Sequence, residues 1–329
     1  MANPKHGAAV LMYHHFGETR YPSTNITLQQ FDQHLDYLEQ QGFQVWPLEK
    51  IVNQLKTGKP FPAQVVAITI DDAYRSIYTH AYPRLKKRNW PFTVFVSTDV
   101  IDKKMPAFMS WDQMREMQQH GATFANHSSY HDSLIEQKEK ESFEAWRQRI
   151  FSDLTAAQKR LRTELGVAPP LFAYPYGEYN IALQQIIKNL GWIAVGQQSG
   201  VMSQYADPLA LPRYPMAERF AALKPFKTKV ASLPLPVINA SPADPMLGQQ
   251  NPPHLHITLE KSDDIQLDQL NCFASNQGNA KITWTDKERG QFTVEAHKSF
   301  KSRRNRYNCT APSKSTGRYY WYSHLWIQP

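Results

Sequence analysis

"VVAITIDDAYRS", residues 65–76, is the stretch from which the rest of this chain can be read. Val65 to Ile70 form an unbroken run of the kind found in a buried β-strand. Two carboxylates, Asp71 and Asp72, follow at once. Adjacent ionised carboxylates repel each other, so a compensating partner is expected close by.

Outward from this strand, from Ala8 to about Gly200, strand-like and helix-like segments alternate. "AAVLMY" (residues 8–13) reads as a strand. Thr27 then caps a helix with Leu28, Phe31, Leu35 and Leu38 on one face, and Gly42 stops it. A short "FQVW" strand and a helix ending near Gly58 precede the opening stretch. After it come the helix "IYTHAYPRLKKR", the strand "PFTVFVS", a helix capped by Ser110, the strand "ATFANH" and a long helix to about Leu165. "LFAYP", a further helix and "WIAVG" complete the series. Repeated β–α alternation predicts a parallel sheet, open or closed into a barrel, with the chemistry at the C-terminal ends of the strands.

The pattern changes at Leu233. Residues 233–253, "LPLPVINASPADPMLGQQNPP", read as a linker rich in Pro, Ala, Ser and Asn. From His254 the segments are short, alternating and aromatic, which predicts a small all-β, sandwich-like accessory domain over residues 254–329. Residues 1–232 are then the first domain. Trp284, Tyr319, Trp321 and Trp326 are expected mainly in the β core, although such aromatics also stack on sugar rings or bases.

The chain has 329 residues and a net charge of +8. No apolar run approaches the ~20 residues of a membrane helix, so it reads as globular. The positive charge suits a nucleic acid, an anionic glycan or an anionic membrane surface, but the basic residues are scattered. The one dense cluster, "KSFKSRRNRY" (residues 298–307), reads as a solvated strand or loop. Cys272 and Cys309 are the only cysteines. Oxidised, they would close a loop of about 38 residues, worth roughly 3–4 kcal/mol; two free buried thiols are the other option. "MANPKHG" reads as a start methionine on a trimmed mature N-terminus, which leaves the leader question open.

Polar residues collect at the ends of the expected strands: His14 and His15, Asp71 and Asp72, His127 with His131 four residues on, and Tyr176 with Gly177. If the chain turns helical after His127, the H-S-S-Y-H pair shares a face and can share a metal. Two imidazoles and one carboxylate leave open positions on a cation, as catalysis requires. One aspartate then serves as ligand, and its neighbour, kept ionised by the cation, as general base. A helix N-cap is the other reading of the aspartate pair. Of the remaining histidines, His80 and His120 are expected near helix ends, His34 within a helix, His254 and His256 on one face of a strand at the surface, and His6 in a flexible end.

These residues resemble three motifs of the polysaccharide deacetylases of carbohydrate esterase family 4, which read T-F-D-D-G, H-S/T-x-x-H and R-x-P-Y-G. Here they stand as "TIDDAY", "HSSYH" and "FAYPYG", and the likeness covers roughly Ala8 to Ala222. The resemblance implies a distorted (β/α) barrel and metal-dependent removal of an acetyl group, N-acetyl favoured, from an amino-sugar polysaccharide. It makes Asp71 the base, Asp72, His127 and His131 the ligands of a divalent cation, zinc foremost, and the Tyr176 N–H an oxyanion donor. The cysteine pair and the N-terminus read as trimmed point to a periplasmic or extracellular location, and no nucleic-acid partner is expected. A non-catalytic polysaccharide-binding protein and a sugar O-acetyl esterase are the alternatives.

The departures are specific. Ala173 stands where the third motif has Arg, and Ala73 and Tyr74 follow the aspartates where the family has Gly. No Asp–Trp motif is visible in "VGQQSG". The closing L-x-L-H motif is absent downstream, and its likeness appears at the N-terminus as "LMYH", residues 11–14. That order resembles the permuted poly-β-1,6-N-acetylglucosamine deacetylase branch. It makes His14 the general acid and lets Arg213, in "LPRYP", replace the missing arginine beside Asp71.

Overall fold

The computed structural model describes residues 7–329; the reading of "MANPKHG", and His6 with it, falls on residues outside these. The N-terminal two-thirds is a mixed α/β unit built on one curled, half-barrel sheet. Its strands are β1 (Ala8–Tyr13), β2 (Gln44–Val45), β3 (Val65–Ile70), β4 (Phe92–Val96), β5 (Ala122–Asn126), β6 (Leu171–Ala173), β7 (Ile193–Val195), β8 (Val201–Met202) and β9 (Tyr214–Pro215). The order is β8-β1-β3-β4-β5-β6-β7, with β2 beside β3 and β9 beside β1. All these pairs are parallel except β1–β8.

The register levels the strand ends. β1 and β3 pair from Ala8↔Val65 to Tyr13↔Ile70. Val96 pairs with Asn126, Asn126 with Phe172 and Ala173 with Val195. The residues that follow these positions therefore emerge on one rim. Residues 211–215 draw the sheet margins together: Leu211 bridges Val195, and Tyr214 pairs with Leu11.

Eight helices cover the sheet: α1 (Leu28–Gln40), α2 (Leu48–Thr57), α3 (Tyr82–Lys87), α4 (Thr98–Asp102), α5 (Trp111–Gln118), α6 (Phe143–Leu165), α7 (Ile181–Asn189) and α8 (Leu223–Val230). Thr27 and Ser110 each close a capping box, with Gln30 and Gln113. α6 buries Trp146, Ile150, Leu154, Leu161 and Leu165 along one stripe, as expected. The helix expected over residues 77–88 begins instead as a π-turn, Ile77–Ala81, before α3. Pro83 has no N–H to give to the preceding turn, so the regular ladder cannot run through it.

From Leu233 onward all regular strands are β10 (Leu233–Pro234), β11 (Val237–Ser241), β12 (His254–Leu259), β13 (Asn271–Ala274), β14 (Gly278–Asn279), β15 (Lys281–Asp286), β16 (Gln291–Glu295), β17 (Arg304–Pro312) and β18 (Tyr319–Ile327). They form a five-stranded sheet, β10-β18-β17-β13-β14, and a four-stranded sheet, β11-β12-β16-β15. Leu255, Ile257, Phe292, Val294, Tyr307 and Trp326 share one core. The stretch read as a linker holds β10 and β11, which pair with β18 and β12. Its prolines stand outside the positions where those ladders need a donor, so a Pro-rich composition concealed two edge strands.

Cys272 and Cys309 form a disulfide between directly opposed residues of β13 and β17. Trp326 is buried, and Trp284 and Trp321 are partly buried. Tyr319 is not core: it is exposed, because it opens β18 opposite Pro312 at the end of the ladder. The end of β18 reaches the other unit, where Leu325 and Ile327 join a cluster with Trp146, Phe172 and Tyr174.

Candidate metal centre

Asp71 and Asp72 leave β3 at the rim, and the Asp71 N–H donates to the Tyr13 carbonyl at 2.9 Å. Asp71 is fully buried, as is Arg213. Arg213 Nη1 and Nη2 donate to Asp71 Oδ1 and Oδ2 at 2.7 and 2.8 Å. Its Nε donates to the Gly196 carbonyl at 2.9 Å, and Nη1 also to Thr69 Oγ1 at 3.1 Å. Burial pushes the Asp71 pKa up, but the charge and hydrogen bonds of Arg213 outweigh it and hold the carboxyl below its usual range. A guanidinium therefore reaches Asp71 from residue 213, next to β9. Ala173 does something else: its carbonyl accepts from His127 Nδ1 at 2.7 Å.

Asp72 turns the other way. Asp72 and Ala73 adopt φ of 74° and 57°, a left-handed pair that carries the Asp72 carboxylate away from Asp71. Asp72 Oδ1 lies 3.2 Å from His127 Nε2 and 3.1 Å from His131 Nε2. Burial raises the Asp72 pKa, and the contacts with His127, His131 and His14 bring it well below the ordinary value. The Tyr74 ring stacks on His15 at 3.6 Å between ring centres, and burial together with the nearby Asp72 carboxylate raises the pKa of its hydroxyl.

His127 and His131 do meet, but not on a helix. Residues 127–131 form an irregular turn in which Ser128 and His131 have φ of 68° and 61°. The Asn126 side chain accepts from the Ser128 N–H at 2.8 Å, and Ser128 Oγ accepts from the His131 N–H at 3.0 Å. These short side-chain-to-backbone bonds compete with a helical ladder and win. Asn126 is itself held by the Leu154 carbonyl and Gln158 of α6.

The donors suit a divalent cation. Each of Asp72, His127 and His131 offers a ligand atom, all within 4.8 Å of one another. Asp72 Oδ1 and His127 Nε2 are buried without a well-formed hydrogen bond, a costly state that a cation would relieve. A carbonyl only accepts, so the Ala173 contact fixes the proton on His127 Nδ1 and presents the Nε2 lone pair to the site.

His14 stands at the end of β1, with Nε2 3.9 Å from Asp71 Oδ2. Tyr176 sits in the Pro175–Gly177 turn with φ 59° and ψ 2°. Its ring meets His131 edge-on at 4.6 Å. That turn requires Gly177: φ is 69°, and a Cβ there would come within 2.7 Å of the Gln197 side chain. Eleven non-glycine residues have positive φ among those described, and Asp72, Ala73, Ser128, His131 and Tyr176 are five of them. Backbone strain of this kind concentrates where surrounding structure over-determines it.

The sequence reading missed four partners. Tyr74 on Asp72 was noticed only as an oddity, and Glu178 was not singled out. The basic run 298–307 was read as solvated, yet Arg303 and Arg304 both bind the buried carboxylate of Glu178. The double arginine was the one local signal, and only the fold supplies its partner.

Residues 58–195 match the family described as polysaccharide deacetylase. The chain is 28% identical over 179 residues to the poly-β-1,6-N-acetyl-D-glucosamine N-deacetylase of Staphylococcus aureus, an alignment spanning 51% of this chain and 59% of that protein. It is 24% identical over 243 residues to the Escherichia coli enzyme of the same name, covering 60% of this chain and 34% of that protein. The chain thus spans about a third to three-fifths of these relatives. Among solved structures, IcaB from Ammonifex degensii superposes with a TM-score of 0.58 at 27% identity, over 66% of this chain and 94% of that one. Residues 58–195 of the α/β unit thus form a polysaccharide deacetylase domain, homologous to the poly-β-1,6-N-acetyl-D-glucosamine N-deacetylases.

Proposed function

We propose that this protein is a metal-dependent hydrolase that removes N-acetyl groups from an amino-sugar polysaccharide of the β-1,6-linked N-acetylglucosamine type. The observation that carries this reading is the convergence of Asp72, His127 and His131 on one point beside the buried Asp71–Arg213 pair. The relatives' names supply the substrate class.

Asp72 Oδ1, His127 Nε2 and His131 Nε2 would hold a divalent cation; two imidazoles and a carboxylate suit zinc. Bound there, the cation supplies Lewis-acid polarisation of the acetyl carbonyl and lowers the pKa of the attacking water. Asp71, kept ionised by Arg213, takes a proton from that water as its oxygen bonds to the acetyl carbon. The Tyr176 N–H donates to the developing oxyanion, a contribution of about 10²–10³ in rate for such a donor. The C–N bond breaks as His14 protonates the nitrogen, worth about 10²–10⁴. Acetate leaves and a free amine remains. An amine anion is a poor leaving group, so an amide depends on His14 more than an ester does.

Three further points belong to this proposal. Residues 1–232 are taken as the deacetylase barrel and the strands from residue 254 as an all-β accessory domain. The two sheets and their shared core support that division, with β10 and β11 already belonging to the accessory sheets. The disulfide supports a periplasmic or extracellular location. Among the described residues no helix is long and apolar enough to cross a membrane.

The test is incubation of the zinc-loaded protein with a β-1,6-linked N-acetylglucosamine oligomer, following acetate and free amine. Stoichiometric release of both is expected. Metal and glycan binding without acetate would favour a non-catalytic binding protein. Acetate from O-acetylated sugars alone would favour an esterase.

A further inference from the structure

Arg303 and Arg304 of the basic run 298–307 reach the turn that follows Tyr176. Arg303 Nε donates to Glu178 Oε1 at 2.7 Å and its Nη2 to Oε2 at 2.9 Å. Arg304 Nη1 adds a bond to Oε1 at 3.2 Å. Ser133 Oγ donates to Glu178 Oε2 at 2.7 Å. Arg303 Nη2 also reaches Ser133 Oγ at 3.2 Å and the Glu136 carboxylate at 2.6 Å. Glu178 is only 1% exposed. Burial raises its pKa, and Arg303, Ser133 and Arg304 more than reverse the effect, so it stays a carboxylate.

Position along the chain gives this cluster its meaning. Ser133 lies two residues beyond His131, and Glu178 two residues beyond Tyr176. One carboxylate therefore ties the segment leaving a metal-site histidine to the segment leaving the oxyanion residue. Both His131 and Tyr176 have left-handed backbones, which persist only when neighbours hold them. The arginines are firmly mounted. Arg304 opens β17 opposite Ile327, which packs in the cluster with Trp146 and Tyr174. The Arg303 carbonyl accepts from Gln328 N–H at 2.7 Å. The Arg304 guanidinium lies 5.4 Å from the centre of the Tyr176 ring, whose other neighbour is His131.

We propose that Arg303, supplied by the C-terminal β-sheets, is a positioning residue that acts through Glu178 and Ser133 to hold His131 and Tyr176 in place for metal binding and turnover. The C-terminal strands thereby complete the metal centre and do more than extend the molecule. The effect on turnover rests on the deacetylase reading; the effect on metal affinity does not.

The test uses the full chain with Co²⁺ as a spectroscopic probe and acetate release as the second readout. Arg303→Ala is expected to weaken Co²⁺ binding about tenfold, as losses outside the ligand set do. It should alter the Co²⁺ absorption spectrum and lower kcat about tenfold while KM changes little. Arg303→Lys should recover part of the affinity, since it restores charge but not the fork. Arg303→Ala combined with Glu178→Gln should bind Co²⁺ no more weakly than the worse single variant, because both cut one connection. Ser133→Ala removes the hydroxyl link without stranding a charge; it should move the same readouts in the same direction, and it decides the matter if Arg303→Ala fails to fold. Unchanged Co²⁺ affinity, spectrum and kcat in Arg303→Ala or Ser133→Ala would overturn the proposal, whatever happens to the unfolding temperature. Multiplying effects in the double variant would overturn the route through Glu178. Wild-type protein that binds Co²⁺ but releases no acetate would count against the deacetylase reading, and the affinities would still decide the role of Arg303.

Discussion

Arg213 and Asp71, 142 residues apart in the chain, form a two-pronged ion pair at 2.7 and 2.8 Å in which neither side chain is exposed. The pair answers the problem set by adjacent carboxylates. Asp71 is neutralised by a guanidinium, and Asp72 is turned toward two imidazoles by its left-handed backbone. The two aspartates thus have separate partners.

That separation predicts opposite phenotypes. Asp71→Asn should lower acetate release by at least about 10², the lower range for general-base catalysis, with zinc retained. Asp72→Asn should lose zinc. Metal content by mass spectrometry beside a turnover assay checks both; zinc loss from Asp71→Asn would exchange the two assignments. Arg213→Ala strands a buried charge and should cost about 3–5 kcal/mol of stability, measured by denaturant unfolding.

His14 should matter according to the leaving group. His14→Ala is expected to cut amide hydrolysis by about 10²–10⁴ and ester hydrolysis much less, because an alkoxide departs with less help than an amine anion. Comparable losses on N-acetyl and O-acetyl substrates would argue against protonation of the leaving group by His14.

A buried histidine outside the metal site should govern acid stability. His34 on α1 stacks on Phe226 at 3.7 Å and contacts the Tyr13 hydroxyl at 3.0 Å and the Ala221 carbonyl at 2.7 Å. Burial, with Lys229 nearby, lowers its pKa from 6.5 to about 4, although the Ala221 contact works the other way. The neutral form is favoured in the fold, so the unfolded chain takes up a proton first. The stabilisation is whole above pH 6.5 and is lost as pH falls toward 4, to a total of about 3 kcal/mol. His34→Gln should flatten that part of the stability profile; an unchanged slope in chemical denaturation between pH 7 and 4 would count against it.

The cross-strand disulfide should stabilise the C-terminal sheets. With its ends 37 positions apart, Cys272→Ser with Cys309→Ser is expected to cost about 3–4 kcal/mol. Unfolding of wild-type and double-serine protein under oxidising conditions measures it, with reduced wild-type protein as the control.

The sequence by itself determined the α/β alternation, the capped helices and the all-β character of the C-terminal part, because buried periodicity and capping residues are local signals. It also marked Asp71, Asp72, His127, His131 and Tyr176 as strand-end residues of a deacetylase-like site. It identified Arg213 only through resemblance to a family pattern in which an arginine was missing. Local chemistry misled it at two places. Residues 127–131 have helical ligand spacing, but their serine and asparagine side chains bond the backbone into a turn. The proline-rich stretch from Leu233 hides two strands, since edge pairing tolerates proline where no donor is needed. The tertiary structure alone decided which charges meet. Arg213 reaches Asp71 across 142 residues, and Arg303 reaches Glu178 across 125. A buried ion pair depends on which surfaces exclude water together, and no periodicity along the chain records that.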